Sequence, residues 1–157
     1  MQLMKVEYAT KPGFGISPWF TLEVFPDRGL FVGRRLTATC GAKEFPLSPL
    51  QFPEFQWLLM PALAVATRAY LEGDRPSYGG DRTLVEVIWH LANGDRVAYC
   101  SSGMKRCHAD HATGHQLNAA QEAAFSVFNW EPIVDLIGPK ERRREFALRD
   151  SQKKGPF

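Results

Sequence analysis

The chain of 157 residues has little cysteine, no long apolar run and no compact catalytic signature. Its three cysteines, Cys40, Cys100 and Cys107, follow no regular spacing, which excludes a disulfide framework and suits a reducing compartment. The longest apolar stretch, residues 57–66, is too short for a bilayer and contains Pro61. The opening MQLMKVEY lacks the charged and apolar regions of a signal peptide, so the cytoplasm is the expected location. No G-x-S-x-G, P-loop, H-E-x-x-H or paired C-x-x-C occurs, and Gly13-Phe14-Gly15 lacks the third glycine of a dinucleotide fingerprint. The common hydrolase, phosphate-loop and zinc-protease classes therefore find no foothold.

What is present suits one globular domain. Hydrophobic residues make up 45% and charged residues 23%, enough for a core without metal or disulfide support. The net charge of +2 is unevenly placed. After Gly138 seven basic residues stand against three acidic ones, a net +4, which leaves −2 for the body. The expected division is a single α+β domain over residues 1–138 and a basic, flexible tail over 139–157. Glu141, Glu145 and Asp150 dilute that tail, and within its basic stretch KERRREFALRDSQKK only Phe146 could stack on a base, which argues against nucleic acid as its partner.

The order of elements follows from periodicity. LMKVEYA reads as a first strand. WFTLEVF and LFVGRRLTATC flank PDRG as a hairpin, with Phe20, Leu22 and Val24 on the core face of the first strand. In the second strand Leu30, Val32, Leu36, Ala38 and Cys40 share a side, with Arg34 the exception; Cys40 and Cys100 each end an apolar strand pattern and read as small buried hydrophobes. Ser48-Pro49-x-Gln51 has capping-box spacing, and the run to Leu71 is apolar nearly all round, predicting a buried helix kinked or divided at Pro61.

A second hairpin turns on Asn93-Gly94, read as a two-residue type I′ turn. Val85, Val87, Trp89 and Leu91 form its core face, with Trp89 beside Ala98, Val87 beside Cys100 and His90 on the other face. LNAAQEAAFSVF favours a helix, and WEPIVDLIG adds a last turn or two ending at Gly138. The predicted architecture is β-ββ-α-ββ-α. An antiparallel sheet of two hairpins and an N-terminal strand is packed on one face by a long kinked helix and a C-terminal helix.

CHADHATGH, residues 107–115, holds three of the four histidines. On a helix, Cys107, His111 and His115 would fall four apart, with His108 three before His111, so the four could line one stripe and bind zinc. Gly114 and the Ala-Thr-Gly sequence oppose a helix there, and the spacing matches no established zinc motif. A solvated polar loop is the competing reading, and it expects no cofactor.

The stretch FPDRGLFVGRRLT resembles the opening of the emfourin family of small bacterial metalloprotease inhibitors, in which a strand with a G-G-F motif and a nearby glycine precedes a helix, a second hairpin and a closing helix. Gly29, Phe31 and Gly33 match, Leu30 replaces the second glycine, and GGDRTLVEVIWHLANGDRVAYC resembles the second hairpin. The plan is also similar to that of small α+β toxin-immunity proteins. The resemblance implies a compact binding domain and assigns no inhibitory residues.

Phe14, Trp19, Phe25 and Phe31 are expected in turns or opposite the core, as an outward aromatic patch suited to protein contacts. The expected function is a non-enzymatic protein-binding module: an inhibitor or immunity protein that neutralises a bacterial toxin or enzyme by direct binding. The alternative is a metal-dependent hydrolase or nuclease using Cys107, His108, His111 and His115.

Overall fold

A computed structural model of the chain describes residues 2–11, 17–71, 84–101 and 114–152. Strands β1 (Leu3–Lys11), β2 (Trp19–Val24), β3 (Arg28–Arg35) and β4 (Gly41–Pro46) form an antiparallel meander. β5 (Leu84–Leu91) pairs with the other side of β1, and β6 (Arg96–Cys100) with β5. Among the described residues the sheet has six strands in the order β4-β3-β2-β1-β5-β6. Helices α1 (Gln51–Leu58), α2 (Met60–Leu71), α3 (Gly114–Ser126), α4 (Glu131–Ile137) and α5 (Arg143–Ser151) complete the α+β fold expected from the sequence.

Two-residue alternation gives the sheet one apolar face. Val6 and Tyr8, Phe20, Leu22 and Val24, and Val85, Val87 and Trp89 are all buried there. Ala62, Val65, Ala66 and Ala69 of α2, Ala120 and Ala124 of α3, and Ile133 and Ile137 of α4 join them in one core. Each large side chain so buried contributes about 1.5–3 kcal/mol from removed apolar area. Two polar bonds fix the layers in register. The Tyr8 hydroxyl donates to the Ala124 carbonyl of α3 at 2.6 Å, and Trp130 Nε1 donates to Glu54 Oε1 of α1 at 2.8 Å.

Three sequence expectations change. First, β3 presents its other side to the core. Val24, Leu22 and Phe20 pair with Gly29, Phe31 and Gly33, so these three face inward, and Leu30 and Val32 lie opposite. The connection at Pro26-Asp27 is closed by the Phe25 amide donating to the Arg28 carbonyl at 2.8 Å, and that closure fixes which residues pair. Two of the inward residues are glycines because neighbours occupy their side-chain space. A Cβ at Gly29 would enter the Phe45 ring, and one at Gly33 would strike the Thr39 carbonyl. β3 ends at Arg35, before Leu36, Ala38 and Cys40, and Cys40 is exposed rather than buried.

Second, the hairpin at Asn93-Gly94 is one residue longer than a type I′ turn. Gly94 has φ +91° whereas Asn93 does not take positive φ, and the Leu91 amide donates to the Asp95 carbonyl at 2.9 Å. That is a type I turn followed by a left-handed glycine, which moves the register by one: Trp89 pairs with Val97 and Val87 with Tyr99. Cys100 is nevertheless buried.

Third, the segment after Gly138 belongs to the folded body as far as residue 152. α5 buries Phe146 and Asp150. Residues 153–157 lie outside the described residues.

The helical expectations fare better. Pro61 divides the long helix: Leu59 leaves helical geometry, and Pro61 sits in the first turn of α2, where an amide is not needed. Half of the expected capping box forms, the Ser48 amide donating to Gln51 Oε1 at 2.8 Å. Gly138 ends α4 at φ +84°.

Candidate functional site

Those of the residues singled out from the sequence that are described do not form one site. Phe31 lies in the core, stacked on Phe20 with ring centroids 5.1 Å apart, so it is removed from any contact surface. Trp19 and Phe25 are half-buried on the sheet face opposite the helices. Phe25 is capped by cations, with the Arg28 guanidinium 4.2 Å and the Lys5 ammonium 5.7 Å from its ring centre. Phe14 lies outside the described residues, as do Cys107, His108 and His111. His115 is described, exposed in the first turn of α3. Among the described residues no group of three or more His, Cys, Asp or Glu side chains is arranged to hold a metal ion.

The sheet face opposite the helices carries charge. β1 pairs Glu7 with Glu23, like charges side by side, and Lys5 offsets them with its ammonium 3.2 Å from Glu7 and 3.9 Å from Glu23. His90 Nε2 stands 3.4 Å from Glu7 Oε1, so it too lies on this face, as the strand pattern predicted. Partial burial alone would raise the Glu7 carboxyl, but Lys5 and His90 outweigh it and hold the group below its usual range. These pairs are part-exposed and worth about 1 kcal/mol at most. They keep the strands in register on a polar surface.

The apolar surface lies elsewhere, on the helices. Met60, Ala64, Thr67 and Leu71 recur at three- and four-residue spacing along α2, all on the side turned from the core. Met60 is 48% and Leu71 76% exposed, and Trp57 at the end of α1 is 76% exposed. A shallow groove runs between Met60, Leu63, Thr67 and Leu71, with Arg68 supplying positive charge at its edge. The buried helix inferred from all-round apolarity is therefore only half buried. Its inner side (Ala62, Val65, Ala66, Ala69) is small enough for close packing on the sheet and α3, and its larger side chains face out. The signal was in the sequence: a helix with more apolar sides than one sheet can cover has a side left over.

No protein-family model matches this chain, and no curated protein matches it either. Among the described residues no helix is long and apolar enough to cross a membrane.

Proposed function

We propose that the protein is a non-enzymatic binding module that docks a protein partner on the outward side of α1 and α2. In this reading it is an inhibitor or immunity protein that neutralises a bacterial toxin or enzyme by occupying it. One observation carries the reading: Met60 and Leu71 line one exposed groove on α2, and Trp57 stands exposed at the end of α1, while the core is closed without them. Large apolar side chains clustered in this way supply most of the free energy at protein interfaces, and tryptophan is the most enriched among them. The positive charge of Arg68 at the groove edge favours a partner with an apolar ridge flanked by a carboxylate.

The test is functional. The tagged protein is used to capture its partner from the native host, and the captured protein is then assayed with and without one equivalent of the module. The expected result is loss of the partner's activity at a one-to-one ratio and recovery with Trp57→Ala or Leu71→Ala. A captured partner that keeps its activity, or is inhibited equally by both variants, removes the proposal.

A further inference from the structure

A second concavity has a different chemistry. A crevice of about 640 Å³ opens between the end of α3 with its following 3-10 turn (Val127–Asn129) and the chain running from α4 into α5. That volume is in the range of small-molecule sites. Phe125 and Phe128 form its apolar wall, set edge to face with centroids 5.7 Å apart, and Phe128 is held from behind by Phe20 of the core at 5.7 Å. Lys140, Arg142 and Arg143 also line the crevice, and Asn129 and Asp135 add polar groups to its lining.

The cationic side is built on rigid chain. The Ala38 amide donates to the Ile137 carbonyl and the Thr39 amide to the Leu136 carbonyl, both at 2.9 Å, so the end of α4 is tied to the loop after β3. Gly138 turns there at φ +84°, with no room for a Cβ between Ala38 and the Phe146 ring. Arg142 is fixed by Glu145 at 3.0 Å and by the face of Phe146, 5.1 Å from its guanidinium. Burial pulls the Arg143 guanidinium below its usual pKa, opposed by Glu141, so this charge is partly stripped of water.

The mixture of groups narrows the ligand. A bare inorganic anion would meet the Asp135 carboxylate unfavourably and leave both phenyl rings unused. A ligand carrying a flat ring with N–H donors uses everything: the ring lies against Phe125 and Phe128, Asp135 and Asn129 bond its edge, and an anionic group meets the cations. Guanine presents two adjacent N–H donors that one carboxylate can accept together. We propose that this crevice binds a mononucleotide, with guanine the preferred base and the phosphate held by Lys140 and Arg143.

The proposal is independent of docking on α1 and α2. Titration of the full chain with GMP and, separately, inorganic phosphate, followed calorimetrically and by NMR, tests it. The expected result is saturable GMP binding that perturbs Phe125 and Phe128 resonances, with phosphate at least about tenfold weaker because it gains no stacking. The Lys140→Gln, Arg143→Gln double variant should weaken GMP about tenfold or more, and Lys43→Gln on β4, an equal loss of charge per site elsewhere, should not. Should the double variant fail to fold, Lys140→Gln alone, at an exposed position, gives the same comparison, with a smaller loss expected. No saturation by GMP, phosphate binding as tight as GMP, or GMP affinity unchanged by removing these cations would each overturn the proposal.

Discussion

α2 and α5 invert what their compositions suggest. α2 is apolar on nearly every side, yet Met60 and Leu71 stand in solvent. α5 reads RREFALRDS, a charged segment, yet it is pinned to the body through Phe146, Arg149 and Asp150. Phe146 is buried, with the Arg142 and Arg149 guanidinium groups 5.1 and 5.0 Å from its ring centre. Asp150 is buried too, and its Oδ2 accepts the Leu36 amide at 2.7 Å. Arg149 bonds Asp150 Oδ1 at 3.0 Å and the Thr37 carbonyl at 2.7 Å, so the charge is matched where it is buried. What decides burial is the complement offered by the rest of the fold. The loop after β3 ends its strand with Leu36 at φ +61°, a conformation costing about 1 kcal/mol, and exposes amide and carbonyl groups that Asp150 and Arg149 satisfy. α2 meets a sheet that can cover one side only.

The largest way to break this contrast is to remove the phenyl anchor. Phe146→Ala should cost about 3–5 kcal/mol, read as a lower midpoint in urea unfolding, because the ring fills space between Gly138 and two guanidinium groups. A loss under about 1 kcal/mol would mean that α5 is an appendage after all. Asp150→Ala should cost about 3 kcal/mol, since it leaves the Leu36 amide and part of Arg149 without their acceptor. The Arg149→Ala, Asp150→Ala pair should cost less than the two single losses added together, because each leaves the other's charge unmatched.

A smaller effect distinguishes the packed side of the helical layer. Burial raises the Tyr8 hydroxyl well above its ordinary pKa of 10.0, and burial together with Cys100 raises Tyr99 to about 12. Both groups are neutral in the folded state where the unfolded chain would ionise. Their contribution is fully present below pH 10 and is lost as pH rises toward 12 and beyond. Stability should therefore fall over pH 10–12, and Tyr99→Phe should flatten that fall. An unchanged slope would place Tyr99 in contact with solvent.

The legible parts of the fold were those where one local rule acts alone. β1, the core face of β2, the division at Pro61 and the end of α4 at Gly138 each follow from alternation, proline or glycine chemistry. On β3 apolar content points to Leu30 and Val32, whereas pairing across Pro26-Asp27 and the space taken by Phe45 and Thr39 select Gly29, Phe31 and Gly33. The shift at Asn93-Gly94 has a similar origin, since both turn types place glycine in the left-handed region, and the longer one also takes Ala92 out of the strand and leaves Asn93 without positive φ. The candidate surface was missed for the opposite reason. Its residues are visible in the sequence, but apolarity all round points to burial, and the aromatic pattern points to the strands, where Phe31 is core. The docking of α5 depends on contacts more than 100 residues apart in the chain, which no local pattern carries.

The finest test of the contrast is a substitution expected to do almost nothing to stability. Trp57→Ser with Leu71→Ser removes two large side chains, each 76% exposed, so the folded and unfolded states lose similar amounts of apolar contact with water. The unfolding free energy should move by no more than about 0.5 kcal/mol per site. Partner affinity should fall by about 2 kcal/mol or more if Trp57 anchors the interface. In this proposal stability and binding respond to different sides of the same helical pair, so each readout controls the other. A double variant that loses several kcal/mol of stability would show that these side chains are packed in solution. The excess apolar surface of α2 would then be core, and its contrast with α5 would vanish.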